Sequence, residues 1–319
     1  ECSAITGRYA QSGSISAPKE VSYQELATIV DGVFIALHGR PGEDGVVQGK
    51  LESVGLPYNG SGVETSKVTI DKFTTNEILM KSGLHAANHC IVYEDEWRRD
   101  PGAVEEKLLK DFHFPFIAKP VDDGCSSAVK IIRNENELHA FSELIFRKTE
   151  ELVPAAAALL KIKPKEEFPN KTCFLVEELV TKAGAMKFLE VTGGLMTYFD
   201  ENGNMEYEIF EASEALSEGD VLSLEEKFLA GQGQNITPAR YSKDADENRR
   251  ISAAVKEELE KAARVLKVEG YARIDAFVRI YENKKVEVLI IEVNSLPGMT
   301  PATCIFHQAA INHYKPYEF

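Results

Sequence analysis

The chain has 319 residues, 44% hydrophobic and 27% charged, a balance that excludes disordered and fibrous classes and suits two or three globular units. Lys plus Arg total 36 against 51 for Asp plus Glu, a formal charge of −15. So acidic a chain is a poor clamp for a nucleic-acid backbone and a poor fit to an anionic membrane, although a local basic pocket for a small phosphate stays compatible.

The chain opens at Glu1 without a methionine, and Ser3, Thr6, Gly7, Gln11, Ser12, Gly13, Ser14 and Ser16 make its start read as a loop or a cut edge. The apolar run 33–37, broken by His38-Gly39-Arg40-Pro41-Gly42, predicts a buried parallel strand. Asp44 can cap a following helix whose stripe is Val46, Val47, Leu51 and Val54, with Gly55 ending it. Pro57, Asn59, Gly60 and Gly62 form a loop, and a second helix is expected over 71–82, stopping at Gly83. Trp97, Arg98 and Arg99 beside Glu94, Asp95 and Glu96 read as a solvated helix face. A strand at 116–118 ends at Lys119-Pro120, a polar loop covers 122–127, a strand returns at 128–132, and 135–161 reads helical. Residues 173–176 form a strand leading into Glu177-Glu178, and 181–243 mix strands with a long acidic, glycine-containing loop. From 246 to 267, Ile251, Val255, Leu259, Ala262 and Leu266 recur at helical spacing. Strands alternate with helices early and hairpins come late, so the expected class is α/β with α+β portions.

The five cysteines (Cys2, Cys90, Cys125, Cys173, Cys304) are odd in number and lack any Cys-x-x-Cys pair, so neither a disulfide framework nor a zinc site is expected, and a reduced cytoplasmic compartment is. The longest apolar stretch, 152–160, is far below the roughly 20 residues a membrane span requires.

The most chemical segment is 272–294. Runs 272–281 and 286–294 read as strands joined by Glu282-Asn283-Lys284-Lys285. A turn centred on Asn283 and Lys284 sets Asp275 opposite Glu292 and Arg273 opposite Asn294, all on one face. Ile274, Ala276, Val278 and Ile280, with Leu289, Ile291 and Val293, would make the core face. Two opposed carboxylates repel unless a cation joins them. Two carboxylates and an amide oxygen form a hard, all-oxygen site for Mg²⁺ or Mn²⁺, which takes its remaining ligands from water and substrate phosphates. The alternative is that Arg273 bridges both acids as a sheet ion-pair cluster. Lys119 before a glycine-serine loop is suited to phosphate, although an exposed lysine at a hairpin turn gives the same pattern.

Several long, ordered motifs, spanning roughly 33–303, make the chain resemble the D-alanine–D-alanine ligases of the ATP-grasp superfamily. They are His38-Gly39-Arg40-Pro41-Gly42-Glu43-Asp44-Gly45, Gln48-Gly49-Lys50-Leu51-Glu52, Pro57-Tyr58-Asn59-Gly60-Ser61-Gly62-Val63, Asp71-Lys72, Ala118-Lys119-Pro120, Val176-Glu177-Glu178, Arg273-Ile274-Asp275 and Glu292-Val293-Asn294-Ser295-Leu296-Pro297-Gly298-Met299-Thr300. The resemblance implies an ATP-grasp fold with a partial N-terminal Rossmann-like (pre-ATP-grasp) domain over 1–66, a central subdomain over 67–180 and a C-terminal subdomain over 181–319. It implies ATP with two Mg²⁺ or Mn²⁺ ions on Asp275, Glu292 and Asn294, and ATP contacts from Lys72, Lys119, Glu177, Glu178 and Val180. Arg273, Ser126 and His38 would be catalytic, and His38, Gly298 and Thr303 would hold substrate. The partners implied are small-molecule amino acids, with no nucleic acid and no membrane; a homodimer and a place in a longer polypeptide stay open. The activity implied is dipeptide formation through an acyl phosphate for peptidoglycan precursors. A different amino-acid or peptide substrate, or a degenerate nucleotide-binding module, are the alternatives.

Departures from the family pattern bear on substrate choice. Residues 1–32 lack the family's opening strand, glycine turn and acid. Cys125 replaces the first loop serine, and Ala128 replaces a glycine. The Glu-Ala-Lys-Tyr closing segment becomes Glu211-Ala212-Ser213-Glu214, which sets an acid beside the polyanion and should weaken closure. Lys187 stands where an acid before Phe188 would bind ribose.

Overall fold

The computed structural model describes residues 20–123, 128–163, 166–216, 235–300, 303–315 and 319. In chain order the elements are α1 (Tyr23–Leu26), α2 (Val46–Ser53), α3 (Val63–Ile70), α4 (Lys72–Lys81), β1 (His85–Ala86), β2 (His89–Tyr93), α5 (Glu94–Arg99), α6 (Pro101–Asp111), β3 (Phe116–Lys119), β4 (Lys130–Ile132), α7 (Glu135–Ile145), α8 (Pro154–Leu159), β5 (Cys173–Glu178), β6 (Lys187–Phe199), β7 (Met205–Ile209), β8 (Ser213–Ala215), β9 (Asn235–Ile236), α9 (Ala245–Val265), β10 (Tyr271–Ile280), β11 (Val286–Asn294) and α10 (Cys304–Ile311).

Among the described residues, two sheets organise the chain. The smaller runs β2-β5-β3-β4, all antiparallel. Its core is aromatic: Phe116, Phe141 and Phe174 are fully buried, and Phe141 meets Phe174 edge-on at 5.1 Å. The larger runs β1-β11-β10-β6-β8-β9, with β7 added on β6. Helix α9 covers it with Ile251, Val255, Leu259 and Ala262, the stripe predicted from spacing, all inaccessible to solvent. Asp244 caps α9 by accepting the Glu247 N–H at 2.8 Å, and Asp71 caps α4 by accepting the Thr74 N–H at 2.7 Å.

Several expectations need correction. Residues 33–37 form no strand; they make an isolated parallel bridge, Val33 to Tyr58, and Phe34 and Leu37 are 63% and 49% exposed. An apolar run records hydrophobicity, not whether a neighbouring strand is there to pair with it. Asp44 is not the cap of α2: Gly45 is, with left-handed φ 82°, while Asp44 Oδ1 accepts the Val46 N–H at 3.0 Å. Helix α3 was not foreseen, because its buried residues, Ser66 and Thr69, are polar and give no apolar stripe. The span 135–161 divides into α7 and α8, since Pro154 has no N–H to continue a helix and starts a new one. Trp97 is no solvated residue: only 8% exposed, it belongs to the core of the smaller sheet.

The β10–β11 hairpin keeps the expected pairing at its far end by two compensating irregularities. The turn closes with Tyr281 N–H donating to Lys285 O at 3.0 Å and Lys284 N–H to Tyr281 O at 2.9 Å, and Ile280 pairs with Val286. That is one residue off the register supposed from sequence. A β-bulge between Asp275 and Ala276 then takes up the slip, so Asp275 faces Glu292 and Arg273 faces Asn294. Between turn and bulge the faces are exchanged on β11. Val288 and Ile290 enter the core in place of Leu289 and Ile291.

Candidate active site

Asp275, Glu292 and Asn294 are buried at 4%, 8% and 7% exposure on the face of the hairpin opposite α9. Arg273 grips Asp275 with Nε to Oδ1 and Nη2 to Oδ2, both at 3.1 Å. Thr192, directly across on β6, donates its hydroxyl to the same Oδ1. Burial opposes the Arg273 charge, but Asp275 and Glu292 outweigh it and raise the guanidinium pKa. Glu292 is met by Lys72 Nζ at 3.6 Å, and Lys72 also donates to the carbonyl of Asp123. The alternative in which Arg273 clusters with the acids is therefore partly realised: an arginine and a lysine supply the positive charge beside the two carboxylates.

The donor set fits a hard divalent ion. Among the described residues no group of three or more His, Cys, Asp or Glu side chains gathers to hold a metal; the residue beside the two carboxylates on this face is the amide Asn294. The Asn294 Nδ2 is buried without a hydrogen-bond partner. Arg273 and Lys72 already balance the two acids, so a divalent ion adds net positive charge and suits the site best together with an anionic phosphate.

A loop from the N-terminal region reaches the same place. Glu43, 7% exposed, accepts the Gly39 N–H at 2.7 Å with Oε2 and the Leu296 N–H at 3.0 Å with Oε1. His38 Nδ1 lies 3.1 Å from both Glu43 Oε2 and the Leu296 carbonyl. This knot ties the His38 loop to the chain leaving β11. His38, Glu43, Lys72, Asp123, Glu292 and Asn294 all line one cleft of about 610 Å³, a size suited to a small-molecule site.

Lys119 and Glu177 lie diagonally on β3 and β5, both buried, with Nζ to Oε2 at 2.6 Å; Asn76 Nδ2 donates to the other Glu177 oxygen at 3.0 Å. Glu178 is exposed and donates its N–H to Asn88 O; Val180 is half-buried. Gly298 is half-buried, and Thr303 turns its hydroxyl back to Thr300 O at 2.8 Å; neither lines the 610 Å³ cleft. Ser126 and Cys125 lie outside the described residues.

Two of the departures take a different meaning. Glu214 pairs with Val191, whose side chain is in the core, so it points to the α9 side and away from Asp275. There Arg240 binds it through Nε at 2.9 Å and Nη2 at 3.2 Å. The acid does not confront the cleft, which corrects the expectation that it weakens closure by facing the phosphates. Ser213, opposite Thr192, is on the cleft side, fully buried and held by Thr237 Oγ1 at 2.6 Å and Gln308 Nε2 at 2.9 Å. Lys187 donates to Arg240 O, while Glu190 shares a strand face with Thr192 and is the acid nearest in sequence on that side. Glu43, Asn76, Thr192, Glu190 and Gln308 were not singled out from sequence. Glu43 stood within one of the family motifs, while the other four show their place only through cross-strand register or helix packing.

Comparison with known proteins gives the family. The family described as D-ala D-ala ligase N-terminus matches residues 4–61, and the D-ala D-ala ligase C-terminus matches 78–157 and 175–314. The first match reaches back into residues that showed no family feature by themselves. A D-alanine–D-alanine ligase of Carboxydothermus hydrogenoformans is 30% identical over 88% of this chain and 76% of its own length. One from Moorella thermoacetica is 30% identical over 96% and 85%, and one from Geobacter sulfurreducens 32% identical over 85% and 69%. Among solved structures, the VanG D-Ala:D-Ser ligase of Enterococcus faecalis superposes with a TM-score of 0.61 at 21% identity, covering 91% of this chain and 70% of that one. The chain has the ATP-grasp fold and belongs to the D-alanine–D-alanine ligase family, as an ATP-dependent ligase.

Proposed function

We propose that the chain joins two D-alanine molecules at the expense of ATP, in the cytoplasm, to supply a dipeptide for peptidoglycan precursors. The observation that carries this reading is the convergence of His38, Lys72, Glu292 and Asn294 on one cleft, with the Arg273–Asp275 pair on the same hairpin. In the first step a D-alanine carboxylate oxygen bonds to the γ-phosphorus and the bond to the β–γ bridging oxygen breaks, releasing ADP. In the second, the amine of another D-alanine attacks the acyl carbon, loses a proton, and inorganic phosphate leaves.

In this reading the N-terminal domain, residues 1–66, brings His38 to the first substrate. The central subdomain, residues 67–180, brings Lys72 and Lys119 to the phosphates, Glu177, Glu178 and Val180 to the adenine, and Ser126 to the phosphate loop. The C-terminal subdomain, residues 181–319, brings Arg273 to the tetrahedral intermediate, Gly298 and Thr303 to the second substrate, and Glu190 to the ribose. Asp275, Glu292 and Asn294 would hold Mg²⁺ or Mn²⁺, two ions with the nucleotide, which would neutralise charge on the phosphate oxygens. Lys119 Nζ and Glu177 Oε2 meet at 2.6 Å, so the residues proposed for phosphate and for adenine stand side by side.

A second reading keeps the chemistry and changes the amine. Ser213 favours it, because the Glu-Ala-Lys-Tyr pattern that the resemblance implies would set a lysine here, and this chain has a buried hydroxyl held by Thr237 and Gln308 instead of a cation. The test is ADP release from Mg-ATP with D-alanine and a panel of other amino acids. Release that requires D-alanine supports the first reading, and release only with another amine supports the second. ATP binding without release in any mixture overturns both in favour of a degenerate nucleotide-binding module.

A further inference from the structure

Helix α10 starts beside the chemistry. Its N-cap is Thr303, and Cys304, its first residue, is close enough to Arg273 and Asp275 for both charges to act on the thiol. The buried face of the helix is Ile305, Gln308 and Ala309, the i, i+3, i+4 stripe of an element packed on a sheet. Two of the three are apolar, and the third is a glutamine with no access to solvent. Its Nε2 donates to the Thr192 carbonyl at 2.7 Å and to Ser213 Oγ at 2.9 Å. A carbonyl only accepts, so the orientation of the amide is fixed. The sheet leaves room for it: a Cβ on Gly194, two residues along β6 and on the same face as Thr192, would lie 2.4 Å from Gln308 Oε1.

That oxygen is buried without a hydrogen-bond partner. An orphaned buried oxygen costs stability, and the two bonds from Nε2 do little more than offset it. An unbranched apolar side chain would fill the space as stably. What the amide adds is registry: an apolar face can slide on a sheet, whereas two directed bonds set one position. Thr192 is held by its own strand, opposite both Asp275 and Ser213, so it is α10 that the amide fixes. We propose that Gln308 is a positioning residue of the ligase, which sets the first turn of α10, and with it Thr303, in one place against the Arg273–Asp275 pair. This role rests on the reading of Thr303 as a contact of the second amino acid. Gln308 itself touches no substrate, being inaccessible and one helical turn beyond Cys304. Its loss disturbs the acceptor end of the site and spares the nucleotide end, where Lys119 meets Glu177 and Lys72 meets Glu292.

The test titrates ADP release twice: with the amino acid that the parent accepts, at saturating Mg-ATP, and with Mg-ATP at saturating amino acid. Gln308→Met keeps the length and bulk of the side chain and removes both bonds. KM for the amino acid is expected to rise about tenfold, what one net hydrogen bond contributes, while KM for ATP stays within about twofold and Tm falls by about 3 °C or less. Ser213→Ala removes one of the two bonds and should raise the same KM about threefold, so the test stands even if far-UV circular dichroism shows Gln308→Met unfolded. A role in stability alone would lower Tm and the amount of active enzyme, hence the maximal rate, without separating the two KM values. With the parent active, an unchanged amino-acid KM in the folded variants, or amino-acid and ATP KM values that rise together, overturns the role of Gln308 and leaves the ligase reading standing. A parent that releases no ADP with D-alanine or any other amino acid overturns the ligase reading, and this role with it.

Discussion

Glu292→Gln separates catalysis from stability at the hairpin. The substitution keeps the shape and hydrogen-bonding reach of the side chain but removes one charge from a buried position. Two effects on stability oppose each other. Lys72 Nζ, 3.6 Å away, loses its counter-charge, an attraction of about 4–5 kcal/mol in an effective dielectric of about 20 before desolvation is counted. Against that, Glu292 faces Asp275 across the strands, so repulsion between them is relieved, and the charge no longer has to be buried. Lys72 also keeps its bond to Asp123 O. The expected net loss is about 1–2 kcal/mol, or about 1.5–3 °C in Tm for a chain of this size. For ATP turnover nothing cancels, because a metal ligand and its charge are gone; a loss of about a hundredfold or more is expected. The assay is coupled ADP release at saturating Mg²⁺, beside a thermal melt of the same preparation. Turnover within about threefold of the parent would refute the metal assignment. A melt showing no folded protein would refute the stability reasoning.

Thr192→Val removes the hydroxyl that orients Asp275 Oδ1 while keeping volume, and should shift the Mg²⁺ dependence of ADP release to about 10–100-fold higher concentration; an unchanged Mg²⁺ titration would count against that positioning role. Gly270→Ala places a Cβ 2.6 Å from the Gly60 N and Cα at a φ of 74°, and should cost about 2–4 kcal/mol in urea unfolding; a loss below about 0.5 kcal/mol would contradict the close approach. Burial pushes the Asp122 carboxyl up, but Lys171 and Arg40 outweigh it and hold it below its usual value of 3.8. A depressed folded-state value means the contribution is present above that pH and lost as pH falls through the lower folded value. Lys171→Met should therefore flatten the acid limb of unfolding free energy below about pH 4, and an unaltered limb would argue that the pair does not form in solution.

Much of the site was legible because its chemistry is local. The α9 stripe and the two hairpin strands each follow from neighbours a few residues apart, whose periodicity reports directly on backbone geometry. The family motifs singled out His38, Lys72, Lys119, Glu177, Arg273, Asp275, Glu292 and Asn294 as candidates, because a motif ties a residue type to a point along the strand or loop that carries it. Even so, the hairpin pairing came out as expected only because a bulge cancelled a one-residue slip at the turn, and the exchanged core face of β11 was invisible beforehand.

Composition, spacing and order carried most of the element types, the family and the residue types available for phosphate, metal and carboxylate. Long-range packing settled what each of those residues meets. It set Lys119 against Glu177, tied Glu43 to both Gly39 and Leu296, turned Glu214 to Arg240 on the far face of the sheet and drew Trp97 into the core. Each outcome depends on which strand or helix, tens or hundreds of residues away, supplies the opposite wall. A charge or an apolar run states what a residue needs, and long-range packing selects the partner that satisfies it.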